Sequence, residues 1–201
     1  MRYVAQQVYL LRHGETAWSI SGQHTSRTDL PLTENGRANA RRLAPVLAEQ
    51  TFELVLVSPL ARARETCELA GLGARATPEA DLREWDYGDY EGRTTQQIRA
   101  EAPGWQLFRD GCPGGESPAQ VGDRVDRVIA KARAVSGNVA LFAHGHLLRT
   151  MAARWLDLQV SGGAHFLLDT ATLSVLGYYH GIGAIEQWNA ALAPGNGETN
   201  R

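Results

Sequence analysis

The sequence is short of cysteine, of long apolar runs and of charge of one sign, and each shortage removes a class of function. Cys67 and Cys112 stand far apart and form no C-x-x-C pair. Neither a disulfide scaffold, a zinc knuckle nor a dithiol redox centre is therefore indicated, and free thiols in a reducing compartment are expected. Nowhere do eighteen apolar residues run together, and the run after Arg2 is too short for a secretory leader. The expected location is cytoplasmic, with no membrane partner. A formal charge of −2 at pH 7 leaves no basic face for nucleic acid. No repeat of fixed period and no low-complexity segment interrupts the chain.

What is present is ordinary globular material. With 43% hydrophobic and 21% charged residues, 201 residues suffice for one domain with a sizeable core. That domain is assigned to residues 1–192, and the polar, glycine-rich tail 193–201 is expected to be flexible. A homo-oligomer stays open.

The organising stretch is Val8-Tyr9-Leu10-Leu11-Arg12-His13-Gly14. An apolar run that stops at charge reads as a buried strand surfacing at its carboxyl end, where open α/β sheets place their ligands. A bare Arg-His-Gly also fits a strand end with solvated charge, so context has to decide. Residues 15–32 show no helical period and read as a long polar loop whose Ser19, Gln23 and Thr25 offer donors to an anion. His24 in the same loop is placed at the entrance to a site. Residues 34–49 read as an amphipathic helix.

The second apolar run, 52–57, ends at Ser58-Pro59, which predicts an N-cap and a proline at the first helical position. The helix N-terminus would then be an anion site, and Arg62 in its first turn makes sense only if an anion lies between it and the positive dipole end. A third apolar run, 138–143, ends at His144-Gly145-His146, with a helix from Leu147 to Trp155. Ser117-Pro118 predicts the start of another helix, reaching about Ala134. Residues 166–179 and 182–188 read as a hairpin around Gly181 or Gly183. The segment 81–92 is an aperiodic cluster of acids and aromatics, including Glu84 and Tyr87, that can give one carboxyl a desolvated setting fit for proton donation. Sequence alone does not choose among its five acids.

Two arginines and two histidines at the carboxyl ends of neighbouring strands describe a site for a dianion such as a phosphoryl group. A neutral imidazole there can take that group and pass it to water, with positive charge doing the work of a metal and a carboxylic acid protonating the leaving oxygen. A metal enzyme is the rival reading, from the spacing of His144 and His146. It lacks a third ligand with supporting pattern, and the arginines would repel a cation.

Leu-Arg-His-Gly-Glu-Thr at 11–16, Ser-Pro-Leu-x-Arg-x-x-x-Thr at 58–66, Leu-x-Glu at 82–84 and Ala-His-Gly-His at 143–146 occur in the order found in one family. On these motifs the sequence resembles the histidine phosphatase superfamily, the phosphoglycerate-mutase-like proteins. The resemblance implies an α/β, single-domain, mostly parallel sheet flanked by helices on both faces. It implies a phosphatase without metal or other cofactor, acting on a small phosphorylated metabolite. Position by position, His13 becomes the residue phosphorylated during turnover, Arg12, Arg62 and His144 the phosphate pocket, and Glu84 the proton donor, with Tyr87 close by.

The loop residues Ser19, Gln23, His24 and Thr25 fall on the substrate side, as do Gly145, His146 and Arg149, the last two able to meet a sugar hydroxyl or second phosphate. Family members usually carry glycine after the threonine; this chain has Ser26. Segments 21–25, 29–33, 82–92, 108–112 and 142–146 resemble the sedoheptulose bisphosphatase branch, and the long mutase insertion between Glu84 and His144 is missing. Hydrolysis of a sugar phosphate or bisphosphate is thus favoured. A broad acid phosphatase is the alternative, ahead of a phosphoglycerate mutase or a catalytically silent module that binds phosphorylated ligands.

Overall fold

The structure, a computed structural model, describes residues 6–192; the tail assigned to 193–201 lies outside the described residues. Six strands form one sheet: β1 (Val8–Arg12), β2 (Phe52–Val57), β3 (Thr77–Pro78), β4 (Asn138–Ala143), β5 (Leu173–Tyr179) and β6 (Ile182–Ala190). Their order is β3-β2-β4-β1-β5-β6, with β3, β2, β4 and β1 mutually parallel and the β5–β6 hairpin antiparallel at the β1 side. The expected mostly parallel sheet is present. The two-residue β3 was not expected, because a strand containing Pro78 at a sheet edge shows no alternation.

Helices cover both faces: α1 (Ala17–Ser21), α2 (Glu34–Arg41), α3 (Leu43–Ala48), α4 (Ala61–Leu69), α5 (Thr95–Glu101), α6 (Leu107–Asp110), α7 (Pro118–Arg133) and α8 (Gly145–Trp155). Covered faces explain the unbroken apolar runs, since alternate side chains of one strand enter different cores. Val8, Leu10, Val139 and Leu141 pack toward α7 and α8. Tyr9, Leu11, Ala140 and Phe142 pack toward α3 and α4. Each fully buried leucine or phenylalanine contributes about 1.5–3 kcal/mol. The Ser117 cap, with Pro118 at the first helical position, forms as expected and opens α7.

Four local readings are corrected. The helix expected over 34–49 breaks at Arg42, because Pro45 has no N–H for the carbonyl of Arg41 and its ring crowds that turn. The loop expected over 15–32 contains α1, held by a capping box between Thr16 and Ser19. Ser58 does not cap α4: the chain bends at Pro59 and Leu60, and α4 starts only at Ala61, without a side-chain cap from its own N-cap residue Leu60. The strand expected from Phe166 begins only at Leu173, although the hairpin does turn at Gly181 as expected, with His180 and Gly181 both at positive φ.

Candidate active site

The parallel register brings the three motif-bearing strand ends level. Arg12 lies beside Ala143, the N–H of His13 donates to the carbonyl of Ala143 at 3.0 Å, and that of Ser58 to the carbonyl of Phe142 at 2.9 Å. His13 and His144 therefore face each other with ring centroids 5.1 Å apart. His13 donates from Nδ1 to the carbonyl of Gly14 at 2.7 Å, which leaves Nε2 unprotonated on the cleft side. Gly14 is required where the loop crosses α2: a Cβ there would stand 2.6 Å from the carbonyl oxygen of Gly36. Its N–H donates to Thr66 Oγ1 at 2.9 Å, and that hydroxyl donates to the carbonyl of Arg62 at 2.7 Å, so the threonine of the second motif ties the histidine loop to α4.

His144 is fully buried. Its Nε2 meets Ser58 Oγ at 2.7 Å, and that oxygen also accepts the N–H of Leu60 at 3.4 Å. The serine proton therefore has Nε2 as its acceptor, and His144 carries its own proton on Nδ1. Among the described residues the buried side-chain polar atoms without a hydrogen-bond partner are His144 Nδ1, Arg12 Nε and Arg62 Nε. All three belong to the expected phosphate pocket, and a buried donor without a partner costs about 1–3 kcal/mol unless an acceptor is supplied. Arg12 donates its Nη1 to the carbonyl of Leu168 and packs on Gly145, where a Cβ would lie 3.3 Å from the guanidinium carbon. Gly145 thus serves the pocket by making room for Arg12.

Arg62 has no exposure and donates to the carbonyls of Thr25 (3.1 Å) and Thr28 (3.2 Å). The expected anion between Arg62 and the helix N-terminus is present, and it is a protein carboxylate: Asp29 accepts the N–H of Ala61 at 2.8 Å and lies 3.9 Å from Arg62. The N-terminus of α4 is therefore occupied from within the chain. Burial pulls Arg12 and Arg62 below the ordinary guanidinium value, opposed chiefly by the Glu84 carboxylate. Burial, and then the charge of Arg62, hold His13 and His144 well below the ordinary imidazole value of 6.5.

Glu84 takes the N-terminus of α8. Its Oε1 accepts the N–H groups of Trp85 and Leu147, both at 2.9 Å, and its Oε2 accepts that of His146 at 3.0 Å. Of the five acids in the 81–92 cluster, Glu84 is the one that lines the cleft containing His13. Tyr87 is buried, which raises its phenol well above 10, so it donates to His146 Nδ1 at 2.6 Å and leaves the proton of His146 on Nε2. His24 stacks on Tyr87 at 4.7 Å, and burial lowers it to about 4.

The cleft, of about 240 Å³, brings together Arg12, His13, Glu84 and Tyr87 with the loop residues Ser19, Gln23, His24 and Thr25, and with Gly145, His146 and Arg149. Arg62 and His144 sit behind this surface. Ser19 and Gln23 reach the wall with local hydrogen bonds of their own, Ser19 to Thr16, and Gln23 through one N–H to Gly92 and through its oxygen to Ser21. Ser26, where the family usually has glycine, turns away: its N–H donates to the Glu91 carboxylate at 2.9 Å, and the residue lines a separate cleft. Arg149 is half-buried, stacked 4.7 Å over Phe108 and bonded through Nε to the carbonyl of Gly163 at 3.1 Å. Among the described residues no group of three or more His, Cys, Asp or Glu is placed to hold a metal ion, and no helix is long and apolar enough to cross a membrane.

Sequence reasoning missed Trp18, Thr95 and Leu168 in the cleft wall and the supporting roles of Asp29 and Glu91. The Thr16–Ser19 box and Gly22 were signals for the turn carrying Trp18. Asp29 and Glu91 act across 32 and 65 positions, which no local pattern announces.

Comparison with known proteins agrees with this geometry. The family description "Histidine phosphatase superfamily (branch 1)" matches residues 8–191. The chain is 42% identical over 180 residues to an acid phosphatase of Mycobacterium tuberculosis, covering 88% of each chain. It is 36% identical over 184 residues to the sedoheptulose 1,7-bisphosphatase of Saccharomyces cerevisiae, covering 75% of this chain and 68% of that one. Among solved structures, an open-reading-frame product of Mycobacterium tuberculosis superposes with a TM-score of 0.90 at 39% identity, over 94% of this chain and 99% of that one. The mycobacterial glucosyl-3-phosphoglycerate phosphatase, solved with VO3, gives 0.82 at 31% identity over 92% and 100%. A family match over residues 8–191, on the same fold, places this chain in branch 1 of the histidine phosphatase superfamily.

Proposed function

We propose that the protein hydrolyses phosphomonoesters of a small phosphorylated metabolite without a metal, through a phosphohistidine on His13. The observation that carries this reading is the pairing of an unprotonated His13 Nε2 with the partnerless N–H groups of Arg12, Arg62 and His144. In the first step Nε2 attacks phosphorus, the bond to the ester oxygen breaks, and Glu84 gives its proton to the leaving alkoxide. In the second step water attacks phosphorus, its proton passes to Glu84, and the electron pair of the N–P bond returns to Nε2. The arginines and His144 stabilise the charge on the equatorial oxygens at both stages.

For the substrate, a sugar phosphate or bisphosphate such as sedoheptulose bisphosphate is supported by the 36% identical relative of that name and by His146 and Arg149 on the cleft wall. Broad acid phosphatase action is the second reading, supported by the 42% identical relative. Phosphate release measured across a panel of sugar mono- and bisphosphates separates them. A single substrate with kcat/KM at least about a hundredfold above para-nitrophenyl phosphate, roughly 2.7 kcal/mol of added transition-state binding, supports the first. A flat panel supports the second. Activity abolished by EDTA would refute the metal-free step.

A further inference from the structure

We propose that Glu116 and Arg124 form a clamp that positions Glu84 for protonation of the leaving group, an inference that rests on Glu84 being the proton donor. Glu84 sits in the segment 83–86, which follows the short 3-10 turn Ala80–Leu82 and has no strand or helix to hold it. Its bonds to the N-terminus of α8 fix the carboxylate end only. One ion pair bonds to the backbone on both sides of Glu84.

Arg124, on α7, donates from Nη1 to the carbonyls of Asp81 (2.8 Å) and Arg83 (2.7 Å), the residue immediately before Glu84. Its remaining fork, Nε and Nη2, grips the Glu116 carboxylate at 2.8 and 2.9 Å. Glu116 in turn holds the other side. Its Oε2 accepts the N–H of Asp86 at 2.8 Å, its N–H donates to the Asp86 carbonyl at 2.9 Å, and its carbonyl accepts Trp85 Nε1 at 2.9 Å.

The pair does not touch the substrate side. Glu116 and Arg124 line a second cleft of about 550 Å³, and Glu84 is the residue that this cleft shares with the one containing His13. Both are therefore positioning residues. The choice of arginine follows from the geometry, since one planar fork has to serve two carbonyls and a bidentate carboxylate at once, which an ammonium cannot do. With 9% and 22% side-chain exposure, the pair is shielded enough for its geometry to persist.

A leaving-group comparison tests the clamp. An alkyl phosphate, β-glycerophosphate, needs the proton from Glu84, whereas the nitrophenolate of para-nitrophenyl phosphate departs without it. Glu116→Gln and Arg124→Lys are each expected to lower kcat on β-glycerophosphate by roughly ten- to a hundredfold with KM held, and to change the para-nitrophenyl phosphate rate by less than about threefold. Glu116→Gln added to Glu84→Gln is expected to cost nothing further on β-glycerophosphate. Retained nitrophenyl activity certifies the fold, and Arg124→Lys carries the comparison if Glu116→Gln does not fold. Parallel losses on both substrates, or losses that add in the double variant, overturn the clamp. Glu84→Gln losing both substrates equally overturns instead the proton-donor reading beneath it.

Discussion

His13 and Gly14 are joined by one hydrogen bond, Nδ1 to carbonyl oxygen at 2.7 Å, and it settles which imidazole nitrogen faces the cleft. A carbonyl only accepts, so Nδ1 keeps the proton and Nε2 keeps its lone pair. Burial and the two arginines then disfavour a second proton on the ring. The nucleophile is thus prepared by a backbone oxygen, with no carboxylate behind it.

The first consequence concerns pH. Because the folded His13 lies well below 6.5, the ring stays neutral as pH falls through 6.5, and kcat/KM should not lose its nucleophile there. A pH–rate profile is expected to show its acid limb below 6.5; an acid limb centred at or above 6.5 contradicts the account.

Stability should move the other way in the same range. His24 titrates at about 4 in the folded chain against 6.5 when exposed, so below 6.5 the unfolded state binds more protons. The associated stability is complete above 6.5 and is lost as pH falls toward 4, by up to about 3 kcal/mol for this one ring. His24→Gln is expected to show a smaller drop in unfolding temperature between neutral and acid solution than the parent. Equal drops would remove His24 from the explanation.

Asp29 takes the capping role at α4 that sequence grammar assigns to Ser58. Asp29→Ala removes the acceptor at the start of α4 and should cost about 0.5–2 kcal/mol in denaturant unfolding, as lost caps do. Ser58→Ala leaves His144 Nε2 without its donor and frees the proton to move there from Nδ1, so kcat should fall by roughly tenfold or more. A Ser58→Ala enzyme with unchanged kcat contradicts the assigned tautomer.

Gly14→Ala places a methyl 2.6 Å from the Gly36 carbonyl oxygen. Backbone has to shift at the residue that accepts from His13, and overpacking of this kind costs about 1–3 kcal/mol. The expected result is a lowered unfolding temperature together with a fall in kcat; a stable, fully active variant would show that the close approach is not needed.

Much of this was legible from residue order because β1, β2 and β4 are largely buried on both faces and so appear as mostly apolar runs that stop at polar residues. His13, Arg62, Glu84 and His144 stand at motif positions; the parallel register brings the strand ends behind His13 and His144 level, and Glu84 reaches them through the N-terminus of α8. The misreadings have a common physical origin. Ser58-Pro59 carries a sound capping pattern, yet the hydroxyl is taken by His144 from another strand, and Asp29 supplies the cap from a distant loop. Ser19 and Gln23 line the cleft as a polar loop suggests, yet local hydrogen bonds already engage the Ser19 hydroxyl and one N–H of Gln23. Composition reports which donors exist; only tertiary contacts decide which remain free.

The central claim is a covalent phosphoryl group on His13 Nε2, and rapid quench with a phosphate-labelled ester tests it most directly. The account predicts label bound to the protein within one turnover, stable in base, labile in acid, mapped to the peptide containing His13 and absent from His13→Ala. Turnover with no trapped label, or label on a hydroxyl such as Thr25 or Ser58, would contradict it.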